Sequence, residues 1–375
     1  MCGFTFTVFL SAFQLLPVAP FRIHDLGGST FASGLFLGFL TYASAWSAPV
    51  TGALTDRVGR RRTLLVASAV ICACTVAYAL LADYRVMLAI VIVHGIFWSG
   101  LLSASAAYLT NMLPEDRRAE GIGYWGLSSV AAIAVAPPIG FWIFDRGWTW
   151  VCVSCAVLNV LMGMIAWTLD ESDVVRTFRS TDVAGPKARA TTNNFIEWRV
   201  LVLSVSLFLY SFGYGAISSF SAVYADTIGV SPKSLYLTML AIVILLTRPL
   251  SGPLADRVGY KPVLVPAFVF TALGLGVLAL AGSRASFISS AVVFGVGFGT
   301  SYPVFVAHVM RDVDASRRGA AFGAILAAFD TGIGTGSTMT GWLIQRFGFP
   351  IAFGTAAALA AISLPYFLLA ERRLR

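Results

Sequence analysis

Charge is scarce in this chain. Asp, Glu, Lys and Arg make up 12% of its 375 residues, while apolar types make up 58%. A soluble domain carries roughly a quarter charged residues. With a mean hydropathy of +0.81, there is too little polar surface to cover a soluble core, and a lipid bilayer is the solvent that fits. Histidine is scarcer still, at three residues. No Ser-His-Asp order, HExxH pair or phosphate-binding loop appears, so neither enzymatic chemistry nor ATP-driven work is expected. The five cysteines, Cys2, Cys72, Cys74, Cys152 and Cys155, all fall within apolar runs. Cys152 and Cys155 have the spacing of a redox or metal pair, but no second pair and no nearby histidine completes a ligand set. They read as small residues of a membrane helix, and no metal or cofactor is expected. The net charge of +8 does not mark a nucleic-acid binder, because the basic residues sit in short loops between apolar runs.

Those runs are the dominant feature. A bilayer-spanning helix needs about 20 mainly apolar residues, and twelve such spans are expected, near 3–24, 32–54, 63–82, 86–110, 119–144, 149–169, 199–225, 234–255, 263–282, 286–309, 319–343 and 348–370. The first lacks a basic leader and a small-residue cleavage site, which marks it as a retained helix rather than a signal peptide. Residues 170–198 form the one long polar stretch and divide the spans six and six, predicting two units, 1–169 and 199–375, joined by a flexible tether. Nineteen of the 26 Lys and Arg residues fall on one side of the spans and six on the other, leaving Arg248 inside a span. By the positive-inside rule the crowded side, with both termini, is cytoplasmic.

One charged turn occurs twice. Gly52-Ala-Leu-Thr-Asp56-Arg57-Val-Gly59-Arg60-Arg61 recurs 200 residues later as Gly252-Pro-Leu-Ala-Asp256-Arg257-Val-Gly259-Tyr260-Lys261. A repeat at half-chain spacing points to two copies of one membrane unit, the organisation of many transporters. Glycines would let the chain reverse tightly there, and Asp56 and Arg57 would sit at a helix end, able to pair with neighbours and helix dipoles.

Together these features resemble the major facilitator superfamily across essentially the whole chain. The first turn is similar to that family's signature between its second and third helices, and the second turn is a weaker copy. The resemblance implies an all-α membrane protein, twelve transmembrane helices in two pseudo-symmetric six-helix bundles around a central cavity. It also implies a cytoplasmic latch: Asp56, Arg60 and Arg61 in that role, with Asp256 and Arg257 as counterpart. Around Gly126 and Ala134-Val-Ala136-Pro137-Pro138-Ile-Gly140, the fifth span is similar to the family's antiporter motif, with alanines in place of some glycines. That favours export, although a plain packing helix is the alternative. In the fourth span, His94 before Gly95 stands where the family usually has glutamine, and the motif's arginine is absent.

Polar groups inside the spans are the remaining clues. Asp330 is the one carboxylate deep in a span, flanked by Gly332, Gly334 and Gly336. Buried there, a carboxylate is costly unless paired, hydrated or protonated, so it reads either as a proton or substrate group or as a structural hydrogen bond. Arg248 could snorkel to the interface or hold an anion. His94 could respond to protons or simply pack. Gln14, Tyr42, Trp46, Trp98, Trp125, Tyr210, Tyr214 and Tyr302 complete the expected cavity, although each ring could equally pack or face lipid. Pro17 and Pro20 should bend the first span, and Pro303 with Gly295, Gly297 and Gly299 the tenth.

The expected function is therefore proton-coupled efflux of small amphipathic compounds, like the bacterial drug/proton antiporters. The expected setting is the bacterial inner membrane, with the bilayer, a small-molecule substrate and protons as partners, no nucleic acid, and a monomeric state. An importer or facilitator of a polar metabolite such as a sugar or organic acid is the alternative, and a non-transporting receptor a third reading.

Overall fold

In the computed structural model, residues 1–113, 118–169, 198–314 and 317–374 are described, and they are almost entirely helical. The expected tether at 170–198 lies outside the described residues except for Trp198. Thirteen helices follow in order: α1 (Cys2–Leu15), α2 (Ala19–Asp25), α3 (Thr30–Val58), α4 (Arg60–Leu80), α5 (Tyr84–Met112), α6 (Arg118–Phe144), α7 (Trp148–Trp167), α8 (Trp198–Thr227), α9 (Leu235–Val258), α10 (Lys261–Ala279), α11 (Arg284–Arg311), α12 (Arg318–Phe347) and α13 (Phe349–Leu374).

Twelve spans result, because α1 and α2 form one span interrupted at residues 16–18, where Pro17 removes a backbone donor. Pro303, by contrast, is carried inside a helix assigned unbroken from Arg284 to Arg311. Ten spans are long and apolar enough to cross a bilayer by composition alone. The other two are α3 and α12, which cross between the halves of the molecule.

The halves repeat one packing scheme. In the first, α1 packs on α6 and α7, α3 on α5, and α4 on α5 and α7; in the second, α8 packs on α12 and α13, α9 on α11, and α10 on α11 and α13. Between halves the main contacts are α3 with α12 and α6 with α9, a pair that exchanges under the same two-fold relation.

Lipid tails are as apolar as leucine, so these helices associate through close packing and hydrogen bonds rather than the hydrophobic effect. Glycines supply the closeness. A Cβ on Gly297 would lie 2.5 Å from the Ala267 carbonyl oxygen, and one on Gly140 would lie 2.7 Å from the Gln14 carbonyl oxygen. Gly140 thus fixes the α1–α6 crossing in the antiporter-like helix, whereas Gly126 faces open space.

The repeated turn is shorter than its sequence implied. Gly52 and Gly252 lie within α3 and α9, and the reversals are made by Gly59 (φ 99°) and Gly259 (φ 88°). One residue in a conformation closed to ordinary side chains suffices to join two helices. Arg60, Arg61 and Arg62 then occupy the first turn of α4, where the helix dipole disfavours cations. Arg61 answers this by donating to the Trp167 carbonyl oxygen at the end of α7 (2.6 Å), with its guanidinium 5.3 Å from the Trp167 ring centre.

Candidate functional site

Cross-bundle contact is concentrated at the end of the molecule away from those turns. There the Phe31 backbone N–H donates to Gln345 Oε1 (3.1 Å), and Ser337 Oγ donates to the Gly34 carbonyl (2.7 Å). Tyr42 donates to Thr335 Oγ1 at 2.9 Å, and Ser44 Oγ donates to Asp330 Oδ2 at 3.3 Å. The seam is tight: a Cβ on Gly34 would stand 2.5 Å from the Ser337 carbonyl oxygen, and one on Gly334 would stand 2.5 Å from Thr41 Oγ1. Of these four bonds, Ser44–Asp330 is the one nearest the turn end. Toward that end Trp46, Val50 and Leu54 of α3 and Leu246, Leu250 and Leu254 of α9 are all exposed.

Asp330 therefore marks the bottom of the seam. At 1.5 Å rise per residue it lies about 18 Å from the Arg318 end of α12 and about 26 Å from the Phe347 end, close to mid-depth.

Beside the seam is a small cavity of about 20 Å³, where α1, α6, α8 and α9 meet. Its walls are Phe13, Leu16 and Pro17, Ile133 and Pro137, Tyr214 and Ser218, and Leu237, Leu240, Ala241 and Ile244. Two helices come from each bundle, and the only polar atoms their side chains contribute are the hydroxyls of Tyr214 and Ser218. Such a wall is nearly apolar and offers little to a strongly hydrated group.

An aromatic stack continues from the cavity wall. The Tyr214 ring lies parallel to Phe298 at 4.5 Å between centres, Tyr210 covers Phe298 at 4.9 Å, and Tyr302 meets Phe329 at 4.8 Å. Tyr210 is fully buried, with its hydroxyl donating to the Phe298 carbonyl oxygen (2.9 Å), so it supports the stack from behind. Arg248 does not snorkel to the helix end. Its guanidinium lies over the Tyr302 ring, 6.0 Å from the centre. Phe329, the neighbour of Asp330 in the chain, touches both Tyr302 and Phe298. The structure thus gathers Asp330, Tyr302, Arg248 and Tyr214 into one region.

Other expected cavity residues lie elsewhere. Gln14 is buried inside the first bundle, accepting from Ser154 Oγ at 2.9 Å. Trp46 is 81% exposed, so it lines no enclosed wall. Trp125 is half-buried on α6, away from the cavity lining. Trp98 packs edge-on against Phe9 (5.7 Å) beside His94. His94 is buried, with Nδ1 3.3 Å from the Tyr78 hydroxyl, and shares a small polar pocket with Ser11, Thr75 and Asn159. That pocket belongs to the first bundle alone, which favours packing for His94. Of the latch residues, the side chain of Asp56 lies outside the described residues. Arg57, Asp256 and Arg257 are exposed, and Arg61 is held by its own bundle.

Reading the sequence missed two features. Ser44, Thr335 and Ser337 hold the seam, and the run of Ser, Thr and Gly from 331 to 341 was the available signal. Glu371, one residue past the expected last span, is 3% exposed in α13. It accepts from the Tyr260 hydroxyl and lies 3.3 Å from Lys261 Nζ and 3.4 Å from His308 Nε2. His308 and Tyr260, the latter standing where the first turn has Arg60, both belong to this cluster.

Known proteins agree with this architecture. The Major Facilitator Superfamily sequence model matches residues 1–247 and 203–375. An uncharacterised MFS-type transporter of Burkholderia mallei (strain SAVP1) is 26% identical over 371 residues, covering 96% of this chain and 88% of its own. A bacterial homologue of the human lysosomal transporter Spinster superposes with a TM-score of 0.78 at 16% identity, covering 99% of this chain and 95% of that one. A D-xylose–proton symporter gives 0.75 at 17% identity, covering 98% and 95%. With both halves matched, the chain belongs to the Major Facilitator Superfamily, and it is an integral membrane transporter rather than an enzyme.

Proposed function

We propose that the protein exports small amphipathic organic compounds in exchange for protons, as in the drug/proton antiporter branch of its family, from the bacterial cytoplasmic membrane with both termini inside. In this reading residues 1–169 and 199–375 are the two rocking bundles. The turn end is cytoplasmic, so the arrangement described is inward-facing, closed along the α3–α12 seam and open below it. In this reading the latch of Asp56, Arg60 and Arg61 would close in the opposite state.

One observation carries the coupling role. Asp330 is a titratable group on the seam between the two bundles, and its carboxylate accepts a hydrogen bond from Ser44 of the other bundle. Taking up a proton would remove the charge that this bond serves, so protonation and the closing of the seam are linked. A proton accepted from outside and released inside would return the carrier for another substrate. The nearly apolar cavity wall supports an amphipathic cargo over a sugar-like one.

Transport in proteoliposomes under an imposed pH gradient tests this. Asp330→Asn should abolish gradient-driven accumulation and leave energy-independent counterflow intact. Accumulation unchanged in the variant would make Asp330 structural. If the wild type ignores the gradient altogether, the protein is a facilitator, and the polar-metabolite reading gains.

A further inference from the structure

Arg248 has no acidic partner within ion-pair distance among the described residues. Among the described residues its guanidinium makes no ion pair and no hydrogen bond, and its one contact of note is the Tyr302 ring. It sits about 15 Å from the Val258 end of α9 and about 20 Å from the Leu235 end, too deep for its head to reach the headgroups easily. A lone cation at that depth is costly unless water or a ligand completes it. Arg248 also continues a line. Leu237, Ala241 and Ile244 line the small central cavity, and position 248 follows on the same helical stripe, one turn nearer the Val258 end. Beside the guanidinium Tyr302 supplies a hydroxyl, and its ring leads through Phe329 to Phe298, which add flat apolar faces.

We infer that the preferred substrate carries an anionic group, a carboxylate or similar oxyanion, which seats against Arg248 while its apolar or aromatic body packs on the aromatic faces of Tyr302, Phe329 and Phe298 beside it. The inference rests on the central cavity being the transport site. It adds a charge requirement that cavity shape alone does not supply. Guanidinium is the group suited to it: it stays charged at any working pH, and its planar fork matches two oxygens of one carboxylate. Asp330 lies beyond Tyr302 and outside ion-pair distance of Arg248, so the two opposite charges do not cancel.

A matched pair of probes tests this at equilibrium: 2-naphthylacetate and 2-naphthaleneethanol, titrated calorimetrically into the purified full chain in a non-ionic detergent. The wild type should bind the anion about tenfold or more tightly than the alcohol. Arg248→Gln should lose that preference while keeping its affinity for the alcohol, and Arg248→Lys should keep part of it. Three results overturn the inference: no preference in the wild type (including no binding of either probe), an undiminished preference in Arg248→Gln, or loss of alcohol binding in Arg248→Gln. The last would assign Arg248 to holding the cavity together. No gradient is present, so failure of proton coupling would leave this result untouched.

Discussion

Gly34→Ala should push the transporter out of the state described. The added Cβ would lie 2.5 Å from the Ser337 carbonyl oxygen, 3.1 Å from its carbon and 3.3 Å from Phe220 Cζ. Ordinary contact begins near 3.4 Å, so α3 and α12 must part locally by about 0.9 Å, the difference between 3.4 and 2.5 Å. A backbone carbonyl inside a helix cannot swing aside, and parting also strains the 2.7 Å bond from Ser337 to the Gly34 carbonyl. Overpacking costs about 1–3 kcal/mol, and a weakened hydrogen bond adds about 1 kcal/mol. The sum, about 2–4 kcal/mol, is felt only while this end is closed. The ratio of the two states should therefore move by roughly one and a half to three orders of magnitude. Spin-label distances report it, in a background with the five cysteines replaced. Labels at positions 25 and 346 should move apart in Gly34→Ala, and labels at the exposed positions 58 and 258 should move closer. Gly276→Ala, where the new Cβ meets nothing within 4 Å, is the control. A folded Gly34→Ala protein with wild-type distances would refute the argument that close approach at Gly34 holds the seam.

Glu371→Gln should lower the melting temperature in detergent clearly, at about 1–3 kcal/mol, because Tyr260, Lys261 and His308 all converge on this buried carboxylate. Lys261→Met should cost less than about 1 kcal/mol, since that lysine side chain is 44% exposed; equal losses would refute the ranking. Gly59→Ala should cost about 1–2 kcal/mol, because alanine must adopt φ near 99°, and an unchanged melting temperature would show that the turn relaxes. Asp312, just past the end of α11 and outside the spans, pairs with Arg199 in the first turn of α8 (2.7 Å), and the arginine holds the Asp312 carboxyl below its ordinary value of 3.8. A depressed carboxyl stabilises the fold above its unfolded pKa, and that contribution fades as pH falls through the folded value. Asp312→Asn should therefore differ slightly from wild type at neutral pH and converge with it below about pH 3.8. A gap that persists in acid would point to packing instead.

Much of the fold was legible in the sequence, because a bilayer admits few solutions. Runs of about 20 apolar residues become helices, since backbone groups have no water to bond. The repeated turn gave the internal symmetry, Pro17 the break in the first span, and Asp330 the polar group at depth. The sequence did not tell which side of each helix meets the other bundle. Gln14 and Trp46 read like cavity residues, yet one is buried within its own bundle and the other is exposed, because a twelve-helix pattern leaves the rotation of each helix open. The turn shows the same limit: its glycines look equivalent along the chain, and only the backbone reveals that Gly59 reverses it while Gly52 stays helical.

By itself the sequence determined the number of spans, the two-fold repeat and the few polar groups placed in lipid, all of which depend on local composition. Only the tertiary structure decided that Asp330 meets Ser44 across the seam and that Arg248 turns inward over Tyr302 rather than reaching for the surface. Those pairings join residues 286 and 54 positions apart in the chain, and they depend on how helices rotate and cross, which glycine contacts at the crossings set and local composition does not.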